Sequence, residues 1–134
     1  PDTSIYYSIY SMNPQFRRRW LPKSMSPGTA LDMLAEWHDT TEGEVVLHHA
    51  LIAGENDREE DARAIVEAVK DRGLTPRFNL VRYNPYSERQ GVEPDGVTIQ
   101  RYMDVMAELS TNVKIVERVG FDVKASCGMF VETA

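Results

Sequence analysis

Strand-like and helix-like runs alternate along this chain, and no other feature narrows its fold as much. Residues 3–10 (TSIYYSIY) are rich in types that suit a pleated surface, and Met12-Asn13-Pro14 closes the run with a turn signal. Residues 16–27 are polar and hold two prolines. Ser26-Pro27 then offers an N-cap and a first-turn proline, and Ala30, Leu31, Leu34, Trp37 and His38 recur at helical steps, so a helix runs from there to about Asp39. Residues 45–52 (VVLHHALI) are short and mostly apolar, as a strand covered on both faces requires. Gly54 turns the chain, and Asn56 or Asp57 caps a second helix whose buried stripe is Ala62, Ile65, Val66 and Val69. Gly73 ends it, and residues 78–83 (FNLVRY) form the next strand.

Residues 84–96 hold two prolines and two glycines and read as a long loop, the kind of segment that often carries function. Ile99, Tyr102, Met103, Met106 and Leu109 mark a third helix, residues 113–116 a fourth strand, and residues 117–134 have no clear period. Strands separated by helices pair in parallel through right-handed crossovers. No glycine-rich turn follows the first strand, which argues against a doubly wound nucleotide-binding domain. The expected fold is therefore α/β: a half TIM-like βα barrel of about four parallel strands and three helices, with residues 1–134 as one domain. In such a fold ligands gather at the C-terminal strand ends, here residues 8–11, 51–55, 83–86 and the region after Val116.

Composition narrows the setting. The net charge of −6 argues against a general nucleic-acid binder, although a local basic contact remains open. No run reaches the roughly 18 apolar residues of a membrane helix. A single cysteine, Cys127, excludes an internal disulfide and suits a reducing compartment, so a cytoplasmic setting is expected. The chain opens on Pro1 with a strand almost at once, which reads as a truncated start.

Among residues that could carry chemistry, Cys127 on its own reads as a small buried side chain. Asn84 before Pro85 reads equally as a turn residue. His48 and His49 suggest a metal, but neighbours on a strand point to opposite faces, so packing is the better reading and no metal ligand is assigned. Arg17-Arg18-Arg19-Trp20 could meet RNA phosphates and a base, although a solvated charge run is the plainer reading. Glu59, Glu60 and Asp61 are acids at a helix start.

Several segments, in order, resemble one family. Residues 118–122 (RVGFD) and 125–128 (ASCG) resemble the RG-D-I-D-A-A-C-G-Q signature of the radical S-adenosylmethionine RNA adenine methyltransferases of the RlmN/Cfr type. Residues 45–57 resemble that family's VT-EYVLI-GVND, residues 79–85 (NLVRYNP) its NLIP-NP, residues 8–13 its S-L-H-A-P-N, and Leu21-Pro22 its proline dipeptide. The likeness runs nearly ungapped from Ser8 to Met129, and it corresponds to the C-terminal part of those enzymes.

The resemblance implies a function and a site. Cys127 would be the S-methylcysteine carrier, methylated by one S-adenosylmethionine and then activated by a radical from a second, with the methyl carbon passed to C2 or C8 of an adenine in 23S ribosomal or transfer RNA. A thiolate is the right nucleophile for the first step, and Gly128 allows close approach. Ser8, Ile9, Tyr10 and Asn84 would hold S-adenosylmethionine. Tyr10 stands where the family has His, Met129 where it commonly has Gln, and Phe121 where an acid usually precedes Asp122. The family's 4Fe-4S cluster is held by a C-x3-C-x2-C loop absent from this sequence, so the cluster is expected only in an intact parent protein and this chain alone is expected to be inactive.

Two other readings stand beside this one. A half-barrel that binds RNA or a protein without catalysis is the first; a metal-independent βα enzyme using the 84–96 loop is the second, unsupported by any acid–base pair or phosphate cradle. A half-barrel also exposes sheet edges, so it is expected to meet a missing N-terminal half, to self-associate, or to cover an edge with its own tail.

Overall fold

The computed structural model describes residues 3–82, 91–109 and 112–116, together with the backbone of residues 128–133. In chain order the elements are β1 (Thr3–Ser8), α1 (Pro14–Trp20), α2 (Pro27–Thr41), β2 (Glu44–His49), α3 (Glu59–Lys70), β3 (Arg77–Val81), α4 (Gly96–Met106), β4 (Val113–Val116) and β5 (Gly128–Thr133). The strands form one sheet in the order β4-β3-β2-β1-β5. β1 to β4 are parallel, with Ile5 beside Val45, Leu47 beside Phe78 and Leu80 beside Ile115, and β5 runs antiparallel to β1. The expected α/β half-barrel with four parallel strands is the observed architecture.

Strand alternation sorts the side chains into two faces. Ile5, Tyr7, Val45, Leu47, Phe78 and Leu80 point to the helix side and form the main core with Leu31 and Leu34 of α2, Ile65, Val66 and Val69 of α3, and Tyr102 and Met106 of α4. Burying side chains of this size contributes about 1.5–3 kcal/mol each against the entropy of ordering the chain. Tyr6, Ser8, Val46, His48 and Asn79 take the alternate positions, on the face away from those helices. A smaller cluster of Tyr10, Phe16, Leu21, Ala50 and Ile52, flanked by Trp20, seals the C-terminal ends of β1 and β2 beneath α1.

Local chemistry explains most boundaries. Pro27 opens α2 after Ser26, whose carbonyl accepts from the Ala30 N–H at 3.0 Å. Glu42, in the left-handed region at φ 57°, ends that helix. Asp61 accepts from the Arg58 N–H at 3.0 Å and fixes the start of α3, and Gly73 at φ 70° takes the chain away from its end.

The structure corrects several local expectations. Asn13-Pro14 does more than close the first strand with a turn, because it starts α1: the Asn13 carboxamide oxygen accepts from Gln15 N–H at 2.8 Å and Pro14 occupies the first turn. β1 stops at Ser8 rather than residue 10, because Tyr10 adopts φ 57° and the Ser11 N–H turns back to the Ile9 carbonyl at 2.6 Å. Neither Asn56 nor Asp57 caps α3; Arg58 holds that position. Residues 128–133, read as irregular, form β5 along the free edge of β1. Among the described residues no helix is long and apolar enough to cross a membrane.

Candidate functional site

The C-terminal end of β1 delivers Ser8, Ile9 and Tyr10 to three different environments. Ser8 lies on the face away from the helices, where its Oγ is 3.2 Å from His48 Nε2 in a buried contact. Ile9 packs into the main core, so what it presents at the strand end is backbone: its carbonyl accepts from Arg17 Nη1 at 2.6 Å. Tyr10 is buried between Phe16, stacked at 6.3 Å between ring centres, and His49, at 5.5 Å. Asn84 and Cys127 lie outside the described residues.

The two adjacent histidines divide as strand geometry requires. His48 shares its face with Ser8, with the Tyr6 ring edge-on at 5.7 Å, and burial holds its imidazole below the usual value. His49 faces the helices, where Nε2 meets the Tyr102 hydroxyl at 2.8 Å. Burial, and then the neighbouring His48 and Arg17, lower its pKa from 6.5 to about 3, so it is a neutral core group near pH 7. The two imidazoles therefore face opposite sides of the sheet and do not converge on one point. Among the described residues no group of three or more His, Cys, Asp or Glu side chains could hold an ion.

One rung of the sheet gathers the polar groups of the Ser8 face. His48 pairs with Asn79 across β2 and β3, and Asn79 pairs with Lys114 across β3 and β4. On the other side of β1, Ser8 pairs with Gly128, the residue that follows Cys127 in the sequence. The Asn79 Oδ1 atom is buried and has no hydrogen-bond partner. An acceptor left in that condition costs free energy until a donor reaches it.

Around this rung the loops are braced from beneath. Arg17, buried, donates to the carbonyls of Ile9, Ser11 and Met25 at 2.6, 2.9 and 3.1 Å. It is therefore a strut of the fold and not a surface contact, contrary to what the Arg17-Arg18-Arg19 run allows when read alone. Arg19 stays exposed, its guanidinium 5.6 Å from the Trp20 ring centre and 3.7 Å from Glu55, which also accepts from Trp20 Nε1 at 3.0 Å. Sequence reasoning offers Asn56 only as a helix cap; it is instead a fully buried amide that ties the loops after β1 and β2 together. A cleft of about 550 Å³ opens elsewhere, between the end of α1 and the start of α2, and includes none of Ser8, His48 or Asn79.

No protein-family model matches the chain. Curated relatives do. It is 25% identical over 127 residues to a probable dual-specificity RNA methyltransferase RlmN of Alkaliphilus oremlandii, covering 93% of this chain and 36% of that protein. It is 24% identical over 131 residues to the dual-specificity RNA methyltransferase RlmN of Nautilia profundicola, covering 96% and 36%. It is 26% identical over 134 residues to the RlmN of Pseudomonas putida F1, covering 97% and 35%. The chain thus spans little more than a third of the length of these relatives. Among solved structures, a radical SAM methyltransferase from Sphaerobacter thermophilus superposes with a TM-score of 0.65 at 22% identity, over 92% of this chain and 36% of that one. That likeness establishes the fold.

Proposed function

We propose that this chain, similar along nearly its whole length to RlmN-type RNA methyltransferases, is the portion of such an enzyme that carries the methyl-bearing cysteine. In this reading Cys127 is the methyl carrier, Ser8, Ile9, Tyr10 and Asn84 hold S-adenosylmethionine, and the intact protein acts on an adenine of 23S ribosomal or transfer RNA. The cytoplasm, where a lone thiol stays reduced, is the matching compartment.

One observation carries the reading. Ser8 belongs to the segment that resembles the cofactor stretch, Gly128 to the segment that resembles the cysteine signature, and the two are paired residues on β1 and β5. Segments separated by about 120 positions in the sequence meet at the strand end where βα folds bind ligands.

The residues present fit one cofactor and not the other. The Ser8 hydroxyl and the unpartnered Asn79 acceptor suit the hydroxyl and amino donors of S-adenosylmethionine, which supplies an electrophilic methyl group when bound. The protein's part is to orient that group, to exclude water and to present a thiolate. A 4Fe-4S cluster needs several thiolates, and 134 residues with one cysteine do not supply them, so no step is assigned to a cluster here.

The same single cysteine favours a second reading, a non-catalytic half-barrel that binds RNA or protein. Methyl-labelled S-adenosylmethionine supplied to the complete reading frame, followed by peptide mass spectrometry, separates the two. Label on the Cys127 peptide, abolished by Cys127→Ala, is expected. An unlabelled Cys127 in a protein that methylates RNA would overturn the carrier role, and the absence of any methylation would favour the binding module. The purified 134-residue chain is expected to contain no iron and not to cleave S-adenosylmethionine.

A further inference from the structure

The residues that face Ser8 point to a role not contained in the reading above, although resting on it. Ser8 and His48 are both buried, on adjacent parallel strands, with Oγ and Nε2 3.2 Å apart. A serine hydroxyl has one proton to give and two lone pairs to accept with. Which of these a ligand meets depends on where the proton goes. A neutral imidazole whose Nε2 is unprotonated takes that proton, leaving only acceptor lone pairs on Oγ. On the next strand the Asn79 Oδ1 acceptor is buried without a donor, at the register position beside His48. Two acceptors on one sheet face, one of them unsatisfied, call for a ligand that brings donors.

We infer that His48 is a positioning residue: its Nε2 accepts the Ser8 hydroxyl proton and so fixes Ser8 Oγ as an acceptor for a hydroxyl or amino donor of the bound adenosyl cofactor. His48 itself does not touch the cofactor. Because Ser8 has no exposed surface, binding includes an opening of whatever covers this face. The Tyr6 ring, edge-on at 5.7 Å, and the Ser8 hydroxyl lie against the His48 imidazole, and Asn79 holds the neighbouring register position on β3.

Two measurements on the 134-residue chain test this. The first needs no ligand: nitrogen-15 spectra of the imidazoles identify the protonated ring nitrogen. His48 protonated on Nδ1, with an Nε2 resonance that moves in Ser8→Ala, is expected. A proton on Nε2 overturns the inference, because Ser8 would then be the acceptor in that contact. The second is calorimetric titration with S-adenosylmethionine. His48→Leu and Ser8→Ala are each expected to weaken binding about tenfold, the double variant no more than either single, and His48→Gln, which keeps an acceptor at similar reach, to stay within about threefold of the unaltered chain. Unchanged affinity in His48→Leu, or losses that multiply in the double variant, overturn the positioning role while leaving Ser8 as a cofactor contact. If the unaltered chain fails to bind S-adenosylmethionine although His48 carries its proton on Nδ1, the cofactor reading itself fails and the inference falls with it.

Discussion

Asn56 Nδ2 donates to the Tyr10 carbonyl at 3.0 Å, joining the loop after β2 to the turn after β1 across 46 positions of sequence. The same amide donates to the Ala50 carbonyl at 3.2 Å and accepts from the Ile52 N–H at 2.8 Å. One fully buried side chain thus satisfies three backbone groups that no strand ladder serves, and it does so while Tyr10 sits at φ 57°. Asn56→Ala removes all three bonds and is expected to cost about 3 kcal/mol. A shift of the urea midpoint with an unchanged slope would register it; a loss below about 1 kcal/mol would show that water replaces the amide.

Arg17 serves carbonyls as Asn56 serves both kinds of group. Its fork reaches Ile9, Ser11 and Met25 at once, which a point-charge ammonium on a shorter reach does not reproduce. Arg17→Lys is therefore expected to lose about 2–3 kcal/mol, and Arg18→Lys, on the exposed side of the same helix, less than about 0.5 kcal/mol. Equal effects at the two positions in thermal unfolding would defeat the distinction.

Acid should weaken the fold through His49. Its folded pKa of about 3 lies below the unfolded value of 6.5, so the unfolded chain binds the extra proton in that interval. The stability His49 allows is complete above pH 6.5 and is lost as pH falls toward 3, by on the order of 5 kcal/mol. His48, also lowered, acts in the same sense, whereas Asp61, raised by burial, opposes it at the acid end. His49→Phe should flatten the slope of unfolding free energy between pH 4 and 6.5 relative to the unaltered chain. A slope that persists unchanged would assign acid sensitivity elsewhere.

Gly91 closes over Ile52. It holds φ 91°, and a Cβ there would lie 2.4 Å from Ile52 Cγ2, while the next residue's carbonyl accepts from Ala53 N–H at 2.6 Å. Strain and overpacking act together, so Gly91→Ala is expected to destabilise by about 2–3 kcal/mol. Gly54, at φ 76° with open space around it, should lose only the backbone part, about 1 kcal/mol. Similar losses at the two glycines would remove the packing argument.

How far the sequence discloses this molecule depends on the range of the interactions. The parallel strands and the three long helices announce themselves because their apolar periods are local: Leu31 and Leu34, or Ile65, Val66 and Val69, encode a helix face within a few residues. The opposite orientations of His48 and His49 follow from strand alternation in the same way. α1 escapes notice because three arginines swamp its short apolar face of Phe16 and Trp20, although Asn13-Pro14 is a start signal once read as cap and first turn. β5 escapes because its partner is β1, and no period within residues 117–134 encodes a pairing so distant. Ser8 is legible as a candidate from its place at a strand end and as a cofactor contact only through resemblance; its contact with His48 is a matter of register, which a single sequence does not display. Asn84 and Cys127 fall outside the described residues, so the resemblance remains what supports them.

Six residues of β1, Thr3 through Ser8, have their outer flank occupied by an antiparallel strand. Backbone donors and acceptors already matched in this way are unavailable to a newcomer, so a further parallel strand could join beside Ile5 only by evicting β5. At β4 no such competitor stands among the described residues, and Ile115 there is 47% exposed. The two rims of the sheet are unequal: one can be extended by addition, the other only by exchange.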